Sequence, residues 1–343
     1  MTATFNRLWD SRYRVLVLGA LAVALMAALP NFIDDYYVFL GCEVMIYAIA
    51  GLGLTVLMGW TGQIALAHAG FFAIGAYGTA ILSADGFPWP VALVLAGLCA
   101  TASGILVGFP AVRLRGFYLA IATLAFGELV QRLLILFASV TKGNLGFPVD
   151  LIDVGIGTTL TLWYVSLVIL VIGVVALSQV GRTRLGRMLR AVRDIEVATG
   201  ALGISASRYK LLAFAISAFI GGIAGGLYGQ LVTFLTPPIF SLDLLIVFLI
   251  VVYLGGVLRL AGPIVGAVFV VLIVEQLQDL GSWQRLVFGL ILVAIIRFMP
   301  GGLVSLPSLL RRRQRGSNST GGGGLLAEPA PVRVVDAIPG GTP

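Results

Sequence analysis

Long apolar runs separated by short polar gaps fill the chain from about residue 13 to residue 300. An α-helix needs about 20 apolar residues to cross the hydrocarbon core of a bilayer, and with that ruler the pattern predicts about ten transmembrane helices. The predicted fold class is therefore an all-α, polytopic membrane protein. The predicted spans are Tyr13–Phe32, Tyr37–Trp60, Gln63–Ser83, Trp89–Val112, Phe117–Val140, Leu160–Val180, Lys210–Thr233, Leu242–Val257, Ala261–Leu280 and Trp283–Pro300.

The composition indicates that lipid surrounds much of the chain. Hydrophobic residues make up 59% of the 343 residues and charged residues 11%, whereas soluble domains carry roughly 25% charged residues. Too few polar side chains are present to cover a protein of this size in water. Three arginines precede the first apolar run and no small-residue cleavage site follows it, so we expect a retained span rather than a signal peptide.

The basic residues indicate how the predicted helices are oriented. With the N-terminus in the cytoplasm, nearly all arginines and lysines between the spans fall on the inner side, and only Lys142 and Arg285 fall outside. Because inner loops are enriched in Lys and Arg, we predict a multi-pass protein of the cell membrane with both termini in the cytoplasm. The basic residues behind the net charge of +7 are accounted for by this topology. The sequence contains no basic groove interleaved with aromatic residues, so nucleic-acid binding is not predicted.

The predicted helices form one transmembrane domain, residues 1–304, with a long cytoplasmic loop at residues 181–209. The segment 305–343 is rich in arginine and then in glycine and proline, with four consecutive glycines at Gly321–Gly324. Such a segment lacks the apolar residues needed to bury a core. We therefore predict a disordered cytoplasmic tail.

The inner loop contains the most informative polar segment. Leu185, Met188, Leu189 and Val192 recur at helical spacing, with arginines on the other faces, which predicts a short amphipathic helix at the membrane surface. A second short helix is predicted over residues 195–204. Two interpretations stay open from the residues alone: a compact knob that a cytoplasmic partner grips, or a solvated basic loop that only sets topology.

Four ionisable residues fall inside predicted spans: Glu43, Glu128, Arg132 and Glu275. Each is costly in lipid and is expected to face the protein interior. Glu128 and Arg132 are four residues apart and are placed to pair on one helix, or to reach toward the interface. For Glu43 and Glu275, contacts with a proton or a substrate are the alternative to a structural role.

Small residues are dense in two stretches, Ala65–Gly78 and Gly221–Gly229. Glycines at four-residue spacing let membrane helices approach closely, but glycine also frees backbone groups to line a cavity. The single histidine, His68, lies in the first stretch. It is interpreted as a packed or hydrogen-bonded histidine, with a transport role as the alternative.

The residues do not support an enzyme. No Walker A pattern, no Gly-x-Ser-x-Gly and no zinc-protease motif occurs in the sequence. One histidine excludes a multi-histidine metal site, and the two cysteines, Cys42 and Cys99, lie within apolar runs as packing residues. We expect no directly bound cofactor or metal, and if the protein is a pump its energy comes from other subunits.

Several blocks resemble branched-chain amino acid ABC transporter permeases of the LivM type. The segment Gly51–Tyr77 is similar to the family signature, and Val197–Gly200 departs from the commonest form of the inner loop. The resemblance covers roughly Tyr37–Leu303. The signature matches are Gly59, Gly62, Gln63, His68, Phe71 or Phe72, Gly75, Ala76 and Tyr77, the inner-loop matches are Arg184, Gly186, Arg187, Arg190, Ala191, Arg193, Asp194 and Glu196, and the later blocks are Ala201–Ile204, Tyr209–Phe214, Tyr253–Val257, Gly262–Ala267 and Arg297–Leu303.

The resemblance implies a type II ABC importer permease fold, like that of the vitamin B12 importer permease. It implies two cytoplasmic ATPase subunits that use ATP, a second homologous permease and an extracytoplasmic substrate-binding protein. The coupling loop would include Arg184, Gly186, Arg187, Arg190, Arg193, Asp194, Glu196 and Gly203. The translocation pathway would include Gly62, Gln63, His68, Gly75, Tyr77 and Glu128.

The expected function is ATP-driven import of branched-chain amino acids. Alternatives are a permease for urea, short-chain amides or other amino acids, and a proton-coupled secondary transporter that uses buried glutamates and has no ATPase partner. The residues leave open the exact substrate and whether the second permease is a copy of this chain.

Overall fold

The structure, a computed structural model of the chain, describes residues 19, 21, 23–114, 116–152, 155–194, 205–277, 281, 283, 286, 287, 289 and 290. Part of the predicted first span, most of the tenth span, the second short helix at 195–204 and the tail 305–343 lie outside the described residues. The helices are α1 (Asp35–Leu54), α2 (His68–Ala84), α3 (Trp89–Ala111), α4 (Phe117–Leu136), α5 (Thr158–Arg182), α6 (Arg184–Asp194), α7 (Ala206–Val232), α8 (Leu242–Gly255) and α9 (Gly262–Leu277).

The described residues contain five helices that are long and apolar enough to cross a bilayer, and α8 and α9 are shorter apolar helices. The prediction of an all-α protein with many membrane helices is confirmed, and the total of about ten spans stays a prediction. The five long helices are Asp35–Trp60, Trp89–Ala111, Phe117–Leu136, Thr158–Arg182 and Ala206–Val232.

The predicted third span begins in the wrong place. The last turns of the helix that starts at Asp35 widen into a π-helix, Thr55–Trp60, and the chain then leaves helical geometry at Gly62, whose φ is +67°. Residues 62–67, here the 62–67 segment, form neither helix nor strand, and α2 starts only at His68. Hydropathy predicts one apolar run from Gln63 to Ser83, because it depends on side-chain composition and carries no information on backbone conformation.

The centre of the described bundle is α7, which packs against α3, α2 and α1. Glycines permit this packing. A Cβ placed on Gly75 would overlap the backbone of Gly222, and one placed on Gly225 would overlap the carbonyl of Phe72. The interpretation of the glycine stretches as close-packing surfaces is confirmed at these positions, since only backbone-to-backbone approach brings α2 and α7 this close.

Hydrogen bonds hold the segment after α4 to the end of α7. Strand β1 (Phe147–Pro148) pairs antiparallel with β2 (Phe234–Leu235), with Phe147 opposite Leu235. The Gln230 carboxamide donates to the Asp150 carbonyl at 2.9 Å and accepts from the Ile152 amide at 2.9 Å. Short four-residue and 3-10 turns complete this region at Ala138–Thr141, Gly143–Leu145 and Pro237–Phe240.

The contact between α2 and α7 generates a stability prediction. We expect Gly225→Ala to lower the free energy of unfolding by about 2 kcal/mol, because the new methyl group meets a backbone carbonyl that cannot rotate away. The matched control is Gly229→Ala on the same helix, where the nearest atom to the added Cβ is a Leu235 side-chain carbon at 3.7 Å. Thermal unfolding of the detergent-solubilised protein measures both, and equal melting temperatures would contradict the prediction.

Candidate functional site

The amphipathic helix predicted in the inner loop is present as α6. It starts one residue after α5 ends, and the Arg187 amide donates to the Thr183 carbonyl at its first turn. Gly186, Leu189 and Val192 are buried. A Cβ on Gly186 would meet the backbone at Val180 and Gly181, so glycine lets α6 fold back against the end of α5.

Two arginines of α6 contact the break between α1 and α2. The Arg193 guanidinium donates to the Gly59 carbonyl at 2.7 Å, and its aliphatic stem lies against Gly62, where an added Cβ would be 3.0 Å from Cγ. The Arg190 guanidinium lies 5.9 Å from the ring centroid of Trp60, a cation–π geometry. Contacts between residues far apart in sequence thus join α6 to the end of the π-helix and to the start of the 62–67 segment.

The other residues predicted for the coupling loop have different positions. Arg184, Arg187 and Asp194 are exposed, and Arg187 donates to the Arg182 carbonyl at 2.9 Å. Glu196 and Gly203 lie outside the described residues. The α6 surface therefore presents charged side chains outward and apolar ones inward, while its coupling role stays a prediction.

The 62–67 segment contributes Leu66 to one wall of a groove. The Leu66 amide donates to Thr123 Oγ1 at 2.8 Å, which holds the segment against α4 and satisfies a backbone donor that no helix would. The groove is shallow and open, and it is lined mostly by apolar side chains, with one carboxylate. Its lining residues are Leu66, Ala69, Leu124, Gly127, Glu128, Phe240, Ser241, Leu242 and Leu245.

Two charged residues predicted to face the interior do not do so in this chain. Glu128 and Arg132 are both exposed on α4, and neither has a hydrogen-bond or ion-pair partner among the described residues. The prediction is wrong because α4 lies at the edge of the described bundle, where it buries only Leu119, Thr123 and Val130. Hydropathy cannot distinguish the interior of a chain from a face that another molecule covers.

Three further residues predicted for the pathway lie in the core. His68 Nδ1 is 3.4 Å from Ser217 Oγ, and the imidazole packs edge-on against Phe248. Tyr77 donates from its hydroxyl to the Leu235 carbonyl at 3.3 Å. Gly75 is at the contact between α2 and α7. These positions fit the packing interpretation.

The remaining two predicted pathway residues, Gly62 and Gln63, belong to the 62–67 segment. Gly62 is exposed beside Arg193, whereas Gln63 is buried and its carboxamide has no hydrogen-bond partner among the described residues. Of the six residues predicted for the pathway, only Glu128 lines the groove. The sequence signal that marks the groove's other wall is the Gly-Trp-Thr-Gly run before Gln63, where a glycine with positive φ ends the helix.

The described residues thus form a bundle of apolar helices in which the basic amphipathic helix α6 is held against the non-helical connection between two of them. A sequence profile described as "Branched-chain amino acid transport system / permease component" matches residues 36–296. The chain belongs to this family of permeases.

Curated relatives agree with this assignment. The chain is 33% identical to the high-affinity branched-chain amino acid transport system permease protein LivM of Salmonella typhimurium, over 86% of this chain and 76% of the relative. It is 34% identical to the protein of the same name from Escherichia coli K12, over 85% of this chain and 75% of the relative. No solved structure gives a significant match.

The link between α6 and the break is testable by exchange of backbone hydrogens. Arg193→Ala removes the donor to the Gly59 carbonyl, and we expect a loss of about 1 kcal/mol at this solvent-exposed contact. Amides of α6 should then exchange about fivefold faster in hydrogen–deuterium exchange of the purified protein. Arg187→Ala is the control, because it also removes one arginine of α6, but one that donates to the nearby Arg182 carbonyl and not to Gly59. Equal exchange rates in the two variants would contradict the link between α6 and Gly59.

Proposed function

We propose that this chain is the membrane permease subunit of an ATP-driven importer that moves branched-chain amino acids into the cell. The observation that carries the proposal is the contact of α6 with the end of the Asp35–Trp60 helix, through Arg193 and Gly59 at 2.7 Å. The names of the LivM relatives support the substrate class.

The arrangement suits transmission of a push from outside the membrane. Two cytoplasmic ATPase subunits grip the exposed charged face of α6, and they alone bind and hydrolyse ATP. Closure of the ATPase pair displaces α6, and Arg193 carries that displacement to Gly59 and Gly62. Because residues 62–67 have no continuous helical ladder of hydrogen bonds, we propose that this segment adjusts when α6 is displaced.

The proposed pathway runs along the groove beside α4. An aliphatic zwitterion needs apolar walls with a few polar groups, and the groove offers leucines, one phenylalanine, Glu128 and Ser241. Irregular backbone at membrane depth is tolerated where it lines a water-filled cavity, and residues 62–67 meet that condition in this proposal. A second homologous permease covers the exposed face of α4, and an extracytoplasmic binding protein delivers the substrate from the opposite side to α6.

The orientation proposed here places α6, both termini and the segment 305–343 in the cytoplasm of the cell. It rests on the distribution of Lys and Arg between the predicted spans. The chain itself binds no cofactor in this scheme.

An exposed carboxylate in the groove is also what a proton-coupled secondary transporter would use. The two mechanisms differ in their energy source. Uptake that continues without ATP, and follows an imposed proton gradient, would favour proton coupling and exclude the importer.

We expect a P-loop ATPase to co-purify with the detergent-solubilised wild-type chain and to be lost from an Arg187→Ala, Arg190→Ala, Glu196→Ala triple variant. The triple variant removes charges from the proposed ATPase contact. Affinity capture followed by mass spectrometry measures this, and Arg113→Ala, an exposed arginine outside α6, is the control that should retain the ATPase.

The captured assembly also tests the substrate. Reconstituted into vesicles with its binding protein, it should take up leucine only when ATP is present on the side of the ATPases. Absence of any ATPase from the wild-type capture under gentle detergent conditions would refute the importer. Uptake of urea or short amides in place of leucine would keep the transport mechanism and correct the substrate.

A further inference from the structure

Glu128 and Arg132 place two opposite charges on the exposed stripe of α4, without contacting each other. The stripe follows helical spacing through Ile121, Ala125, Glu128, Arg132 and Leu136, all of which are exposed. Glu128 lies about 16 Å along the helix axis from Phe117, close to the middle of a helix about 30 Å long. The carboxylate is therefore presented outward near the middle of a membrane-spanning helix, and the guanidinium lies about 6 Å further along the same helix.

Charged side chains at this depth require compensation. An ionised residue near the bilayer centre is costly unless it faces a water-filled cavity or a partner of opposite charge. Within the described part of the chain, the two side chains have no such partner, and they are not paired with each other. Both charges are thus available to a species that the chain does not itself supply.

The geometry of the pair matches a zwitterion. Side chains four residues apart on a helix have Cβ atoms about 5–6 Å apart, and both are long enough to converge on one small molecule. An α-amino acid carries its ammonium and its carboxylate on the same carbon atom. A guanidinium binds a carboxylate through two parallel hydrogen bonds, while a carboxylate accepts from an ammonium.

The rest of the groove suits an aliphatic side chain. Leu66, Leu124, Leu242 and Leu245 line it next to Glu128. Its walls are tied together by hydrogen bonds: Gln131 Nε2 donates to the Pro237 carbonyl at 3.2 Å, and Thr123 Oγ1 accepts from the Leu66 amide at 2.8 Å. The apolar surface and the two charges therefore keep a defined relation to each other.

We infer that Glu128 and Arg132 form an amino-acid subsite within the membrane, an inference that rests on the proposed function. Glu128 receives the α-ammonium group, Arg132 receives the α-carboxylate, and the leucine-lined groove receives the aliphatic side chain. The subsite neutralises both charges of the substrate as the substrate replaces water. It selects zwitterionic amino acids over uncharged amides, because an amide leaves both charges of the protein unpaired at membrane depth.

Leu66 connects this subsite to α6. It belongs to the 62–67 segment, which starts at Gly62 beside Arg193. Movement of α6 therefore acts on the Leu66 wall of the subsite, and the hydrogen bond from Leu66 to Thr123 joins that wall to α4, which carries both charges.

The test uses the complete transporter, reconstituted with its ATPases, second permease and binding protein, with labelled leucine as the probe. Glu128→Gln and Arg132→Gln should each lower the maximal rate of leucine uptake about tenfold or more, because each loses a charge-assisted hydrogen bond. The concentration of leucine-loaded binding protein that gives half-maximal uptake should stay at the wild-type value, since docking occurs elsewhere. ATP hydrolysis in the absence of leucine should also stay unchanged.

Matched variants separate a subsite from general damage. Glu128→Asp and Arg132→Lys keep the charges and should retain more uptake than the glutamine variants. Asp85→Asn and Arg113→Gln remove one charge each at exposed positions outside the groove and should transport leucine at the wild-type rate.

Wild-type leucine uptake in both glutamine variants would overturn the subsite and leave the proposed function intact. Failure of the glutamine variants to assemble with the second permease would also overturn it, because the two charges would then be consumed by the contact between subunits. If the wild-type assembly does not transport leucine at all, the proposed function fails, and that result is distinct from either failure of the subsite.

Discussion

In lipid, every backbone amide and carbonyl needs a hydrogen-bond partner inside the protein, and residues 62–67 are where this chain must meet that requirement without a helix. The surrounding structure supplies what the helix no longer does. Thr123 accepts from the Leu66 amide, the π-helix accepts from the Gly62 and Gln63 amides, and Arg193 caps the free Gly59 carbonyl. The position of α6, the groove and the attachment of α4 all follow from covering this one break.

Close backbone approach around the break depends on residues with no side chain. Gly75, Gly222 and Gly225 let α2 and α7 touch backbone to backbone, which seats the start of α2 and its His68 in the core. Helices held this way pack with backbone in direct contact and have little room for a side chain between them. The 62–67 segment has neither a helical ladder nor a glycine contact of this kind.

The two faces of α4 divide structural from functional roles. Its inner face holds Thr123 and a few apolar side chains against the bundle, while its outer face carries Glu128 and Arg132. Charges on a membrane helix that are not consumed by the fold are retained at a cost. A translocation pathway shared with a second subunit gives such charges a use, and an interior ion pair would not.

Hydropathy, loop charge and helical spacing by themselves determined the class of this protein, the positions of most membrane helices and the amphipathic helix α6, because these depend on local composition and period. The tertiary structure alone decided that a helix ends before Gly62, that Arg193 reaches Gly59, that Gly75 and Tyr77 are buried between helices, and that Glu128 faces outward. Each of these features depends either on contacts between residues far apart in sequence or on a single backbone angle. Neither kind of feature affects the periodicity of apolar residues along the chain.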